Sequence, residues 1–183
     1  MAGFELRFSG SGGQGLQLSA RIMAAALNGE GKHVARSQSY EPTSRGGSSR
    51  SDLVVSDRTV DYPLATALDY LIVLDQGAVA ESLALLKPDS VVITDSRHVT
   101  EPPEGIFTVH SLPLSETAVR LGNERVTNIV CLGALIGLGG TCAYDTLLET
   151  VRTGVPKRFL ELNLEAVAAG YDMTALAATA KAS

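Results

Sequence analysis

Short apolar or β-branched runs alternate along the chain with longer stretches whose apolar positions recur every three or four residues, and that alternation predicts an α/β fold. The candidate strands are residues 4–9, 33–39, 51–57, 69–75, 90–95 and 106–111. Helices are predicted over 14–29 and 76–87 between strands, and over 114–121, 127–139, 143–153 and 157–169 toward the end. "DYLIVLD" and "SVVITDS" are continuous apolar runs bounded by acids and turn residues, as expected for central strands of a mostly parallel sheet covered on both faces. Each strand ends in an acid, Asp75 and Asp95. Acids there either line the ligand crevice of an open α/β sheet or cap the next helix, and capping is the favoured reading.

One stretch breaks the rhythm. "SYEPTSRGGSSRSD", residues 39–52, collects Ser, Gly, Pro and two arginines between flanking strands, so it reads as a long polar loop with an ordered task at a surface. The tail "MTALAATAKAS", residues 173–183, is small and weakly patterned, a last frayed helix or a docking extension. Residues 1–172 read as one module, and 183 residues suffice to bury roughly two-thirds of the unfolded surface in one core.

Composition narrows the classes. A net charge of −5 gives no basic surface for counterion release, which argues against nucleic-acid binding. The longest apolar run, "IVCLGALIGLGG", falls short of the ~20 residues that span a bilayer and carries four glycines, so it reads as a buried helix. The first residues, MAGFELRF, lack the pattern of a secretory signal, and a cytoplasmic location is expected. Cys131 and Cys142 have no metal-ligand spacing and read as buried reduced thiols. His33, His98 and His110 are scattered, with no evident Cys or acid partner in the sequence, and are expected to be structural or surface residues. No catalytic or metal-ligating set emerges from these residues.

The chemistry-bearing feature is "GSGGQG" at 10–15. Gly10, Gly12 and Gly15 fit G-x-G-x-x-G after a strand and before a helix, where backbone N–H groups and the helix dipole favour a phosphate. A tight turn with close packing is the competing explanation. The acid that should end the second strand and hold a ribose is missing, because "HVARSQSY" ends in Ser and Tyr. Arg36, the candidate clamp for a 2′-phosphate, lies inside that strand rather than at its end. The NAD and NADP readings both weaken on this ground. Arg45, Gly46 and Gly47, with Arg50 following, offer guanidinium groups on a pliant loop that can hold a carboxylate or phosphate in bidentate fashion. Asn128 opens a glycine-bearing helix and is placed to cap it, while Gly133 and Gly137 share a helix face and read as packing sites.

Four motifs occur in order: "GSGGQG" at 10–15, "SYEPTSRGGSSRSDLVVSD" at 39–57, "TNIVCLGALIG" at 127–137 and "NLEAVAAGY" at 163–171. Together they resemble the gamma subunit, or gamma domain, of the 2-oxoacid:ferredoxin (acceptor) oxidoreductases, a family with pyruvate, 2-oxoglutarate, 2-oxoisovalerate, indolepyruvate and phenylglyoxylate enzymes. The chain reads "YEPTSRGG" where "YGPE-x-RGG" is common. The resemblance implies a Rossmann-like three-layer fold and a complex that converts a 2-oxoacid and coenzyme A to an acyl-CoA and CO₂, reducing ferredoxin or another acceptor. It also implies alpha, beta and ferredoxin-like delta partner subunits. Two cysteines cannot supply the four thiolates of a [4Fe–4S] cluster, so the resemblance puts the clusters, thiamine diphosphate and Mg²⁺ on those partners. By the same resemblance, Gly12, Gly13, Gln14 and Gly15 would contact coenzyme A phosphates or order the subunit junction. Arg45, Gly46 and Gly47 would face the neighbouring subunit or the nucleotide end. Gly10 and Asn128 complete the candidate cofactor-binding set. Two other readings stay open: a free-standing NAD(P)- or FAD-binding oxidoreductase, and a purely structural assembly subunit.

Overall fold

A computed structural model describes residues 3–40 and 47–180. Six strands form one sheet: β1 (Phe4–Ser11), β2 (His33–Tyr40), β3 (Ser48–Ser56), β4 (Leu68–Val73), β5 (Leu86–Asp95) and β6 (Thr108–Leu112), in the order β2-β3-β1-β4-β5-β6. β1, β4, β5 and β6 pair in parallel, whereas β3 pairs antiparallel with both β1 and β2, so β3 alone runs against the other five. The α-helices are α1 (Leu16–Gly29), α2 (Leu114–Arg120), α3 (Thr127–Gly139), α4 (Tyr144–Gly154) and α5 (Leu160–Ala180).

Period-2 alternation sorts the side chains. Phe4, Leu6, Phe8, Leu53, Val55, Ile72 and Ile93 project from one face into the main core, which also receives apolar residues from all five α-helices. On α1 the buried Leu16, Ala20, Met23 and Leu27 follow the spacing of one helix face. The opposite face carries Leu71, Val73 and Val92 and is covered by two 3₁₀ segments, Gln76–Ala78 and Ala80–Leu85. The layered fold expected from the sequence is present, with its second helical layer reduced to 3₁₀ turns. The stretch predicted as one helix over 76–87 is thus two short 3₁₀ pieces, and β5 has begun by Leu86.

Toward β2 that second face turns polar. Arg7 lies opposite Asp52 in the β1–β3 register, donating from Nε to Oδ1 at 2.8 Å and from Nη2 to Oδ2 at 2.7 Å, with Nη1 on Ser82 Oγ at 3.2 Å. Arg7 and Asp52 are 3% and 5% exposed.

α3 is apolar all round because it lies between the sheet and α5. Contact between these helices is backbone-close. A Cβ on Gly133 would overlap the Val167 carbonyl oxygen, one on Gly170 the Val130 carbonyl oxygen, and one on Gly137 the Thr174 hydroxyl. The packing role read for Gly133 and Gly137 is what the helices require. α5 continues to Ala180, through the 172/173 boundary set for the tail, and the stretch 157–159 before it is 3₁₀. No helix among the described residues is long and apolar enough to cross a membrane.

Both cysteines are free and buried. Burial first, then the charge of Asp95, pushes the Cys131 thiol far up, while burial and Glu30 raise Cys142 to about 12. At pH 8 a thiol titrating near 12 is ionised in only about one molecule in ten thousand, and the thiolate is the nucleophile. Ellman's reagent at pH 8 is therefore expected to react with neither cysteine in the native chain and with both in guanidinium. Rapid native labelling of Cys142 would contradict that burial.

Candidate functional site

β1 delivers the glycine turn to the edge where the parallel strands end. Gly13 has φ 96° and Gly15, the N-cap of α1, φ 75°, a region that side chains with a Cβ rarely enter. No side chain caps α1 and no acid lies in its first turn. The first hydrogen bond into the helix runs from Ser19 N–H to the Gly15 carbonyl at 3.0 Å, so the N–H groups of residues 16–18 have no partner within the helix. A hollow of about 370 Å³ opens over this turn, lined by Ser11, Gly12, Gly13, Gly15, Leu16, Gln17 and Ser49. Donors with no helical partner, the positive dipole end and open space above Gly13 give it anion-binding chemistry.

The turn is held from three sides. Gln14 folds back, its Oε1 accepting from Ser11 N–H at 2.8 Å and its Nε2 donating to the Leu74 carbonyl at 2.9 Å. A Cβ on Gly10 would overlap Gln14 Oε1, so Gly10 makes room for this staple. Gly12 N–H donates to the Gly47 carbonyl at 3.1 Å, which brings the end of the polar loop onto the turn. Asn128, 2% exposed, donates from Nδ2 to the Gly15 carbonyl and to Ser19 Oγ, both at 3.2 Å. It does not cap its own helix: α3 has no side-chain cap, and the amide ties α3 to α1. Its Nδ2 would lie 2.7 Å from a Cβ on Gly15, a second reason for glycine there. Gly10, Gly12, Gly13, Gln14, Gly15, Gly47 and Asn128 thus converge on one turn, while Arg45 and Gly46 lie outside the described residues. The polar connection is shorter than the 39–52 read from the sequence, because β2 runs to Tyr40 and β3 starts at Ser48.

Asp75 caps the first 3₁₀ segment, accepting from Gly77 N–H at 2.9 Å. Asp95, fully buried, is not an N-cap: α2 starts after Pro113 without a side-chain cap, and Asp95 instead reaches across from the end of β5 to accept from Ser115 N–H in the first turn of α2 at 3.0 Å, so the capping reading holds for Asp75 alone. Asp95 does more. Its Oδ2 meets His98 Nδ1 at 2.6 Å, and the other ring nitrogen lies 3.9 Å from Glu124 Oε1. The expectation that no histidine has an acid partner is corrected at His98. The signal was the spacing Asp95-x-x-His98 in the turn that follows a strand, which folds the two side chains together.

Sheet order bears on the dinucleotide reading. In that fold the second strand is the parallel neighbour of the first. Here β3 is inserted between β1 and β2, so the end of β2 is two strand spacings, about 10 Å, from the glycine turn.

The family model for pyruvate ferredoxin/flavodoxin oxidoreductase matches residues 5–173. The 2-oxoglutarate synthase subunit KorC of Methanocaldococcus jannaschii is 35% identical over 178 residues, covering 92% of each chain. The pyruvate synthase subunit PorC of Methanothermobacter thermautotrophicus is 29% identical over 175 residues, covering 92% of this chain and 94% of that one. Among solved structures, the gamma subunit of a keto/oxoacid ferredoxin oxidoreductase from Geobacter sulfurreducens superposes with a TM-score of 0.88 at 39% identity. That match covers 96% of this chain and 98% of the other.

Proposed function

The chain belongs to the pyruvate ferredoxin/flavodoxin oxidoreductase family, and from that premise we propose that it serves as the gamma subunit of a 2-oxoacid oxidoreductase, ordering the subunit junction and contacting coenzyme A. The reaction takes a 2-oxoacid and coenzyme A to acyl-CoA and CO₂, releasing one proton and passing two electrons to ferredoxin or another acceptor. Likeness over nearly its whole length to a solved gamma subunit of this enzyme class supports the subunit role. One observation carries the coenzyme A contact: an uncapped helix N-terminus beneath an open glycine turn.

The residues of this chain do not fit an iron–sulfur cluster. It has two cysteines, both buried, and among the described residues no three His, Cys, Asp or Glu side chains gather as a metal site. We therefore assign the clusters, thiamine diphosphate and Mg²⁺ to alpha, beta and ferredoxin-like delta subunits in the cytoplasm, together with recognition of the 2-oxoacid. For coenzyme A, the N–H groups at the start of α1 would receive the diphosphate, with Gly13 leaving the approach clear. Gln14 and Asn128 are positioning residues: their amides are engaged with the backbone and fix the turn rather than the ligand. Arg45 is assigned the bidentate contact to a phosphate oxygen pair, which Lys would not reproduce.

Arg45→Ala in the assembled complex tests this. The expected result is a KM for coenzyme A raised by about tenfold, with subunit composition unchanged. Loss of assembly with an unaltered KM would favour a purely structural subunit. The NAD(P) or FAD reading is disfavoured by the antiparallel β3 between β1 and β2.

A further inference from the structure

At the other end of the sheet from the glycine turn, where the parallel strands begin, a hollow of about 370 Å³ opens between the start of β1, the end of β3 and the loop joining α3 to α4. The length of α1, about 20 Å for 14 residues, separates it from the turn. Phe4, Val55 and Cys142, all buried, form its apolar side. Its polar side leans negative. Glu30 and Asp57 bring two carboxylates against the single ammonium of Lys32, which pairs with Asp57. Glu30 is held in place by Ala143 N–H, which donates to Oε1 at 2.7 Å, a bond that leaves Oε2 available. α1 and α3 both end here, at Gly29 and Gly139, so the negative ends of two helix dipoles add to the carboxylates. The opposing dipole, at the start of α4, is already met by Glu30. Thr141, in the same wall, is 5% exposed, and its Oγ1 has no hydrogen-bond partner among the described residues, a rare and costly state for a buried hydroxyl. No three metal-ligating side chains gather among the described residues, so the cation that fits is one that brings its own N–H donors.

We infer that this hollow binds a small organic ammonium ion with an apolar body, at a site independent of what the glycine turn holds. The ammonium donates to the two carboxylates and the Thr141 hydroxyl, all of which can accept, while the body displaces water from Phe4, Val55 and Cys142. The volume equals the liquid share of about a dozen waters and lies in the range of small-molecule pockets. A single lysine side chain from a neighbouring subunit would leave most of it empty.

Chemical-shift titration of the isotope-labelled full chain tests it, with 2-phenylethylamine as the probe and 3-phenylpropionate as an anion of similar size. The amine is expected to bind with a Kd of about 1 mM or below, moving the amides of Glu30, Thr141 and Ala143, and the propionate at least about tenfold more weakly. Glu30→Gln, which keeps an acceptor for Ala143 N–H, is expected to weaken amine binding by about tenfold, the effect of one hydrogen bond to a charged group. Lys32→Met, which frees Asp57 and removes the competing cation, is expected to tighten it by about threefold. Equal binding of the two probes, no shift at these amides, or variants that fail to move the affinity in opposite directions would overturn the site. Equilibrium dialysis of the assembled complex against the labelled amine is expected to give the same affinity. Loss of binding there would also overturn the inference, because a neighbouring subunit would then fill the hollow. Each of these outcomes leaves the coenzyme A contact at the glycine turn untouched.

Discussion

Asp52→Ala is expected to destabilise the chain by about 3–5 kcal/mol, the effect of removing one partner from a buried ion pair. The substitution strands the Arg7 guanidinium, 3% exposed, beneath the second 3₁₀ segment with only Ser82 left to accept from it. The pair also fixes pairing of the two strands, because Arg7 and Asp52 stand opposite each other where β3 is inserted against β1. Urea unfolding followed by circular dichroism measures the loss. Replacing both residues, Arg7→Met with Asp52→Leu, is expected to recover most of it, since a packed apolar pair leaves no buried charge. A loss under about 1 kcal/mol for the single variant would contradict the geometry.

Gly170→Ala is expected to destabilise by about 2 kcal/mol despite alanine's better helix propensity, worth about 1 kcal/mol in the opposite direction. The added methyl would overlap the Val130 carbonyl oxygen and come within 2.9 Å of Ala134 N, so α3 and α5 must separate. Because α3 also carries Asn128, whose amide holds the Gly15 carbonyl, the displacement reaches the glycine turn as well. The melting temperature is therefore expected to fall by about 4–8 °C, and affinity for coenzyme A with it. A melt at or above that of the native chain would mean that the helices are not in backbone contact.

Much of this was legible before any coordinates. All six strands and the helices α1 to α4 announce themselves through the period of their apolar positions. Strand direction does not, because alternation at Val34, Leu53 and Val55 is the same whichever way the strand runs. The observed link over 41–47 is shorter than the dozen or more residues a parallel crossover needs, but the loop read over 39–52 is long enough for one, so the sequence reading did not expose the antiparallel turn. The stretch 76–87 misled because its leucines suit a helix. β5, however, reaches back to pair Leu86 with Leu68, leaving room only for 3₁₀ turns. At the site, the glycines were visible as a turn, but the return of Gln14 onto Leu74 and the reach of Asn128 from α3 to Gly15 are tertiary contacts. Spacing along one element cannot reveal them. The Asp95–His98 pair lay between these cases: it is local, and it was missed because the two residues straddle the end of a strand.

The subunit role is tested most directly by purifying the chain anaerobically from its host and assaying what accompanies it. The expected result is co-purification with chains that carry iron and thiamine diphosphate, in a complex that reduces ferredoxin or another acceptor only when both a 2-oxoacid and coenzyme A are supplied. A solitary chain carrying NAD(P) or FAD would contradict it.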